Sequence, residues 1–146
     1  MFKNLETTID IHAPADKVWQ VLSKLEAYPV WNKRCSFNKS ARLHQWQMMR
    51  VTLFSCPLKV PVKIQRFDAD AGLRWVGGIP GCYTGSHYFA IEALSDKRCR
   101  FIQGEDFNGV LVRVMWPFLE TELLSLYNSM NEAIKHRAES IASKHP

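Results

Sequence analysis

One long amphipathic helix closes this chain, and mostly strands precede it. Pro117 suits a first helical position. Leu119, Leu123, Leu126, Tyr127, Met130, Ile134 and Ile141 then recur at helical spacing, while Glu120, Asn128, Glu132, Lys135, His136 and Glu139 fall mostly on the other side. The pattern predicts a helix of roughly seven turns at 3.6 residues each, with a frayed tail from Ser143 to Pro146. An apolar stripe of that length must be buried, and its natural partner is the inner face of a curved sheet.

The strands are legible from their alternation. Leu5, Thr7, Ile9 and Ile11 share one face, with Glu6, Thr8, Asp10 and His12 on the other. Ala13-Pro14-Ala15-Asp16 then starts a helix, with Pro14 at its first position and Asp16 near its positive end. Val18, Trp19, Leu22 and Leu25 form its stripe, Tyr28-Pro29 ends or kinks it, and a short helical turn follows around Val30-Trp31-Asn32. Met49, Val51 and Leu53 make one later strand. Val60, Val62 and Ile64 make another, in which Pro61 requires an edge position or a bulge. Leu73 to Val76 is a short strand, and Gly77-Gly78-Ile79-Pro80-Gly81 reads as a mobile flap without phosphate-loop spacing. The order is strand, one or two short helices, about six strands, then the long helix. It predicts an α+β architecture: a curved antiparallel sheet of six to seven strands wrapped around the C-terminal helix, as a single domain over 1–146.

Residues 84 to 109 read as a hairpin around Leu94-Ser95-Asp96-Lys97-Arg98. With Leu94 opposite Arg98, Ile91 faces Phe101, Phe89 faces Gln103, and His87 faces Glu105. An imidazole and a carboxylate thus share a surface with Phe89, Ile91, Phe101 and Phe107. Polar groups on such a surface are costly unless paired or solvated, so a pocket is expected between sheet and helix. Its predicted lining is Trp75, His87, Phe89, Gln103, Glu105, Phe107, Leu123, Tyr127 and Met130. His87 and Glu105 read first as a structural bond or a ligand anchor, and second as candidates for acid–base chemistry. Trp75 serves as cavity wall or core, whereas Trp19 and Trp31 are expected to lock the first helices to the sheet.

Composition bounds the rest. The net charge of +5 is scattered, with no basic run longer than Lys33-Arg34, so no nucleic-acid footprint is expected. Cys35, Cys56, Cys82 and Cys99 form no CxxC pair and are expected to be reduced thiols. His12, His44, His136 and His145 suggest no metal site, and no cofactor is implied. The N-terminal segment from Met1 has no apolar core of a leader, and the uncharged stretch from Trp75 to Ile91 is broken by glycines and short of about 20 residues. A soluble, cytoplasmic protein without stable membrane insertion is expected. The apolar run Val110 to Phe118 is read as a connection packed under the helix start, though it could touch a membrane or act as a gate.

Several segments together resemble the START-like, or Bet v 1-like, helix-grip superfamily, and more narrowly its bacterial polyketide cyclase/dehydrase-like branch. They are Ile11 to Trp19, Tyr28-Pro29-Val30-Trp31-Asn32, Leu73-Arg74-Trp75-Val76-Gly77, Gly85-Ser86-His87-Tyr88-Phe89, Glu105-Asp106-Phe107-Asn108-Gly109 and Met130 to Glu139. The chain departs from the pattern in Lys33, where proline often follows the Trp-Asn pair, and in His44-Gln45-Trp46-Gln47, where glycine is usual. The resemblance implies a cavity for a small hydrophobic ligand under the long helix. It does not imply one reaction. Three functions therefore stand as expectations: a carrier of a lipid-like or polyketide-like molecule, a cyclase/dehydratase using His87 and Glu105, and a ligand-responsive interaction module whose protein partners are unknown.

Overall fold

Alternation in the first segment produces β1 (Lys3–Ile11), and the chain then runs through α1 (Ala15–Ser23), a 3-10 helix (Leu25–Val30), β2 (Cys35–Phe37), β3 (Trp46–Leu53), β4 (Cys56–Asp68), β5 (Gly72–Ile79), β6 (Tyr83–Ser95), β7 (Arg98–Asn108) and α2 (Val110–Lys144). The computed structural model describes residues 2–144; His145 and Pro146, within the expected tail, and Met1 lie outside them. All seven strands join one antiparallel sheet in the order β1-β7-β6-β5-β4-β3-β2. The sheet curls around α2, helped by register shifts between Ile64 and Arg66 in β4 and between Ala93 and Ser95 in β6.

The interior has a filled half and an open half. In the filled half, Ile11, Ile64, Leu73, Phe89, Phe101 and Cys99 from the sheet meet Val18 and Leu22 of α1 and Ile134 and Ala138 of α2. Each of these side chains is essentially removed from water, with a transfer gain of about 1.5–3 kcal/mol for the larger ones. Trp19 packs on Phe67 of β4 and so braces α1 against the sheet as expected, whereas Trp31 packs on Tyr28 of the 3-10 helix, and it is Tyr28 that meets Phe37 of β2. Toward the other end, Phe107, Val112, Leu119, Leu123 and Tyr127 form a second cluster that does not fill the space between sheet and helix.

Several boundaries differ from the sequence reading. Pro14 is the residue before α1, with extended backbone, rather than its first helical residue. The second helical turn spans Leu25–Val30 and contains Pro29, so of the expected Val30-Trp31-Asn32 only Val30 belongs to it. Gly77, Gly78 and Ile79 are part of β5, so the glycine-rich segment is a tight hairpin turn and not a flap. Ser95, not Leu94, pairs with Arg98, and Leu94 falls in the bulge; beyond it the expected register holds, with Ile91 across from Phe101, Phe89 from Gln103 and His87 from Glu105. Pro61 lies in an interior strand, but beyond the last residue that pairs with β5, so its missing N–H is needed by no neighbour. His44 has φ 64, the left-handed backbone that a glycine would adopt most easily.

The largest correction concerns α2. Its 35 residues make about ten turns, and it begins at Val110, so the segment Val110 to Phe118 is helix and Pro117 sits inside it. The N-terminal N–H groups of a helix need outside partners. Here they come from the β5–β6 turn: Val110 N–H donates to the Gly81 carbonyl at 3.2 Å and Leu111 N–H to the Cys82 carbonyl at 3.0 Å. Gly109, at φ 118, has no room for a Cβ against the same Cys82 carbonyl.

Hydrogen bonds to backbone groups, with charge pairs beside them, tie the far end of α2 to the end of the edge strand β1. Glu139 accepts from the His12 N–H at 2.8 Å and from Lys135 at 2.5 Å, and Asp10 accepts from Arg98 at 3.1 Å and Arg100 at 3.0 Å. Hydrogen bonding to Arg100 lowers the Asp10 pKa. Burial works against the Glu139 carboxylate, but the bonds from Lys135 and His12 outweigh it and the pKa is lowered too. Carboxylates lowered in the folded state stabilise it above their unfolded values near pH 4, and that contribution disappears as pH falls through the folded values. Thermal melts should therefore be flat from about pH 7 to 5 and fall below about pH 4, with a smaller acid drop in Glu139→Gln.

Candidate functional site

A cavity of about 320 Å³ occupies the open half, at the lower end of the range for small-molecule sites. Met49, Val51, Val60 and Val62 form one wall, Leu119, Leu123, Leu126 and Met130 of α2 the roof, and Trp75 the back. Phe54, Leu58 and Met115 stand at the mouth and are each more than a third exposed. Trp75 does both jobs left open by the sequence: it lines the cavity while packing edge-on against Phe37. Phe89 and Phe107 line no part of it. Phe89 points to the filled half and stacks on Phe101, and Phe107 is covered by Tyr83 and Trp116. Both share a strand face with the polar pair, but the curl of the sheet and the cover of α2 seal them into core.

A paired absence of side chains opens the floor. Gly77 and Gly85 are cross-strand partners in β5 and β6, both at the cavity. A Cβ on Gly85 would collide with Glu105 Oε2, so the glycine makes room for the carboxylate. The signal was present in the sequence: Gly85 precedes His87 by two residues and therefore shares its face. Tyr83, two residues earlier again, also lines the cavity.

The predicted polar residues converge in one hydrogen-bonded chain. His87 Nδ1 lies 3.1 Å from Glu105 Oε1, and His87 Nε2 lies 2.9 Å from Gln103 Oε1. Gln103 Nε2 donates to the Tyr127 carbonyl at 3.3 Å and to Asn131 Oδ1 at 2.7 Å. Asn131 Nδ2 donates to Thr7 Oγ1 at 2.9 Å, and Thr7 donates back to the Gln103 carbonyl at 3.3 Å. The Tyr127 hydroxyl donates to Glu105 Oε1. Asn131 and Thr7 were missed by the sequence reading, although Asn131 follows Tyr127 by four residues, the spacing of one helix face.

The direction of this chain is fixed by its ends. A backbone carbonyl can only accept, so the Gln103 nitrogen faces Tyr127 and its oxygen faces His87. His87 Nε2 therefore carries a proton. Two acceptors cannot usefully face one another, so His87 Nδ1 and Glu105 Oε1 share a proton between them. All donors of His87, Gln103 and Tyr127 are then spent. Glu105 Oε2 and the Tyr83 hydroxyl have no hydrogen-bond partner among the described residues.

Electrostatics around the pair are consistent with this bookkeeping. Burial raises the Tyr127 pKa well above the usual phenol value, reinforced by the Glu105 charge and hydrogen bond. Burial, then Glu105, likewise raise that of Tyr83. The Cys35 thiol at the cavity wall is pushed to about 12 by burial and by Glu105. All three stay protonated at neutral pH. Stacking of His87 on Trp75 and its edge contact with Tyr127 hold the imidazole plane. Among the described residues no group of three or more His, Cys, Asp or Glu side chains is placed to hold a metal ion, and the four cysteines are free.

A curved seven-stranded sheet gripping a long C-terminal helix over a lined cavity has close structural parallels. The Zhui aromatase/cyclase of a Streptomyces species superposes with a TM-score of 0.79 at 16% identity, over 95% of this chain and 94% of that one. This is the helix-grip fold. A START superfamily protein of Mycobacterium smegmatis matches at a TM-score of 0.80 and 17% identity, over 94% and 98%. Norcoclaurine synthase of Thalictrum flavum, solved with dopamine and hydroxybenzaldehyde, matches at 0.70 and 14%, over 100% and 89%. No protein-family model and no curated protein matches the chain. The helix-grip resemblance read from the sequence thus holds for the fold over nearly the whole chain.

Gln103 is fully buried, and its loss would strand His87 Nε2–H and Asn131 Oδ1. Gln103→Leu should cost about 2 kcal/mol or more in urea unfolding, the usual penalty for buried polar groups left unpaired.

Proposed function

We propose that this helix-grip protein binds or carries a small hydrophobic molecule whose single polar head donates a hydrogen bond, such as a phenol or an alcohol. The observation that carries the reading is the valence left over at the cavity floor: Glu105 Oε2 is an unused acceptor, while the donors of His87, Gln103 and Tyr127 are committed within the protein. A hydroxyl on the ligand completes Glu105. A carboxylate head would meet an oxygen already rich in charge, with only Tyr83 free to donate. The apolar body would lie between Met49, Val51 and Val62 on the sheet and Leu119, Leu123 and Met130 on the helix.

Native mass spectrometry of the purified protein, with extraction of any adduct, tests occupancy directly. Calorimetry with 2-naphthol and 2-naphthoate tests the head group. Naphthol should bind more tightly, and Glu105→Gln should weaken it about tenfold, the scale of one hydrogen bond to a charged group. Equal affinity for the two, or no effect of Glu105→Gln, would count against this placement.

A second reading rests on the proton shared by His87 and Glu105. A positioned imidazole–carboxylate pair can remove and return a proton during an aldol cyclisation or dehydration, and a cyclase is among the structural parallels. It expects turnover of a poly-β-keto substrate that vanishes in His87→Ala while substrate binding persists.

A further inference from the structure

The cavity mouth opens in an apolar surface built from three separate elements. Phe54 and Leu58 come from the β3–β4 hairpin, Ile79 from the end of β5, and Val114, Met115 and Phe118 from the first turns of α2. Their exposures run from 39% for Met115 to 69% for Phe118. They belong to one end of the molecule. Met115 lines the mouth together with Phe54 and Leu58, and the α2 N–H bonds to Gly81 and Cys82 hold the β5–β6 turn against the helix start. Exposed apolar surface concentrated in one place marks an interaction site.

The charged side chains within the stretches that build it are basic. Residues 107–119 contain one charged side chain, Arg113; residues 54–65 contain Lys59 and Lys63; neither stretch has an acid. Lys3 adds a fourth base above the Trp116 ring, 5.7 Å from its centre. The neighbouring carboxylates are already held: Glu122 by Arg34 at 2.7 Å and Asp106 by Arg74 at 3.5 Å. Glu120 is the first carboxylate on α2 and begins its polar stretch.

We infer that this end docks on an anionic lipid bilayer, with the apolar side chains in the interfacial region, the bases against headgroups and the cavity mouth toward the lipid. Interfacial contact needs this combination of apolar area and positive charge. A second copy of the chain fits poorly, because a two-fold contact would bring Lys59 and Arg113 toward their own equivalents. The contact is peripheral: no described helix is long and apolar enough to cross a membrane. The inference stands on the outer surface and is independent of the ligand reading.

Sedimentation with vesicles of phosphatidylcholine, alone or mixed with phosphatidylglycerol, tests it. The protein should pellet with the anionic vesicles, release with added salt, and remain in solution with the neutral ones. Lys59→Gln/Arg113→Gln should lower partitioning about 25-fold, since each basic residue near such a surface contributes about fivefold. Val114→Asp, on the exposed side of α2, should abolish it, and both variants should melt like the parent and still bind 2-naphthol if the parent does. Absence of pelleting, equal pelleting with both vesicles, or a dimer in sedimentation equilibrium that Val114→Asp dissolves would each overturn the inference. The comparison of vesicles and salt with the unmodified protein decides the matter even if a variant fails to fold.

Discussion

The Gln103 amide is the point on which the interior turns. It sits midway along β7, bonds upward to Asn131 and the Tyr127 carbonyl on α2, and sideways to His87. A buried amide left unpaired costs more than its pairing returns, so the helix cannot slide or lift without losing several bonds at once. Apolar packing alone would tolerate such movement, because it is non-directional. The network thereby fixes the height of α2 above the sheet. On one side of it Phe89, Phe101 and Ile134 close the gap; on the other, smaller residues and the Gly77–Gly85 pair leave it open.

Holding a cavity open needs support at its rim. The β3–β4 turn places Phe54 at φ 51 and Ser55 at φ 61, left-handed backbone that a bulky residue such as phenylalanine seldom adopts. Such strain persists where surroundings over-determine it. Here Glu122 on α2 accepts the Phe54 N–H at 2.8 Å and the Arg34 guanidinium at 2.7 Å, while Arg34 also reaches the Thr52 carbonyl at 3.2 Å. Sheet edge, turn and helix are thereby joined at the mouth. The same structure that anchors the helix over the polar floor leaves its first turns uncovered, which is why α2 presents apolar side chains to the outside there.

Much of this was legible in advance because period-two alternation survives locally. The facing of His87 with Glu105 and of Phe89 with Gln103 followed from counting along two strands, and a bulge at Leu94 did not disturb it. The stripe on α2 from Leu119 to Ile134 was equally plain. Phe89 and Phe107 were misassigned to the cavity because a strand face says which side a residue is on and not how far along a curved sheet the helix departs. The glycines at 77 and 78 resembled a loop because sequence does not show the close approach of β4 and β6 that leaves no room for a side chain at either position.

Local periodicity, set by backbone geometry, thus determined from sequence alone most of the strands in chain order, the body of the long helix and the polar pair within an apolar face. Tertiary structure alone decided where α2 begins, since its first N–H groups are satisfied by carbonyls of a turn some thirty residues earlier in the chain. It also decided which polar atoms remain free. Glu105 Oε2 stands open because His87 of β6 and Tyr127 of α2 both engage Oε1, and such an accounting exists only once those elements meet.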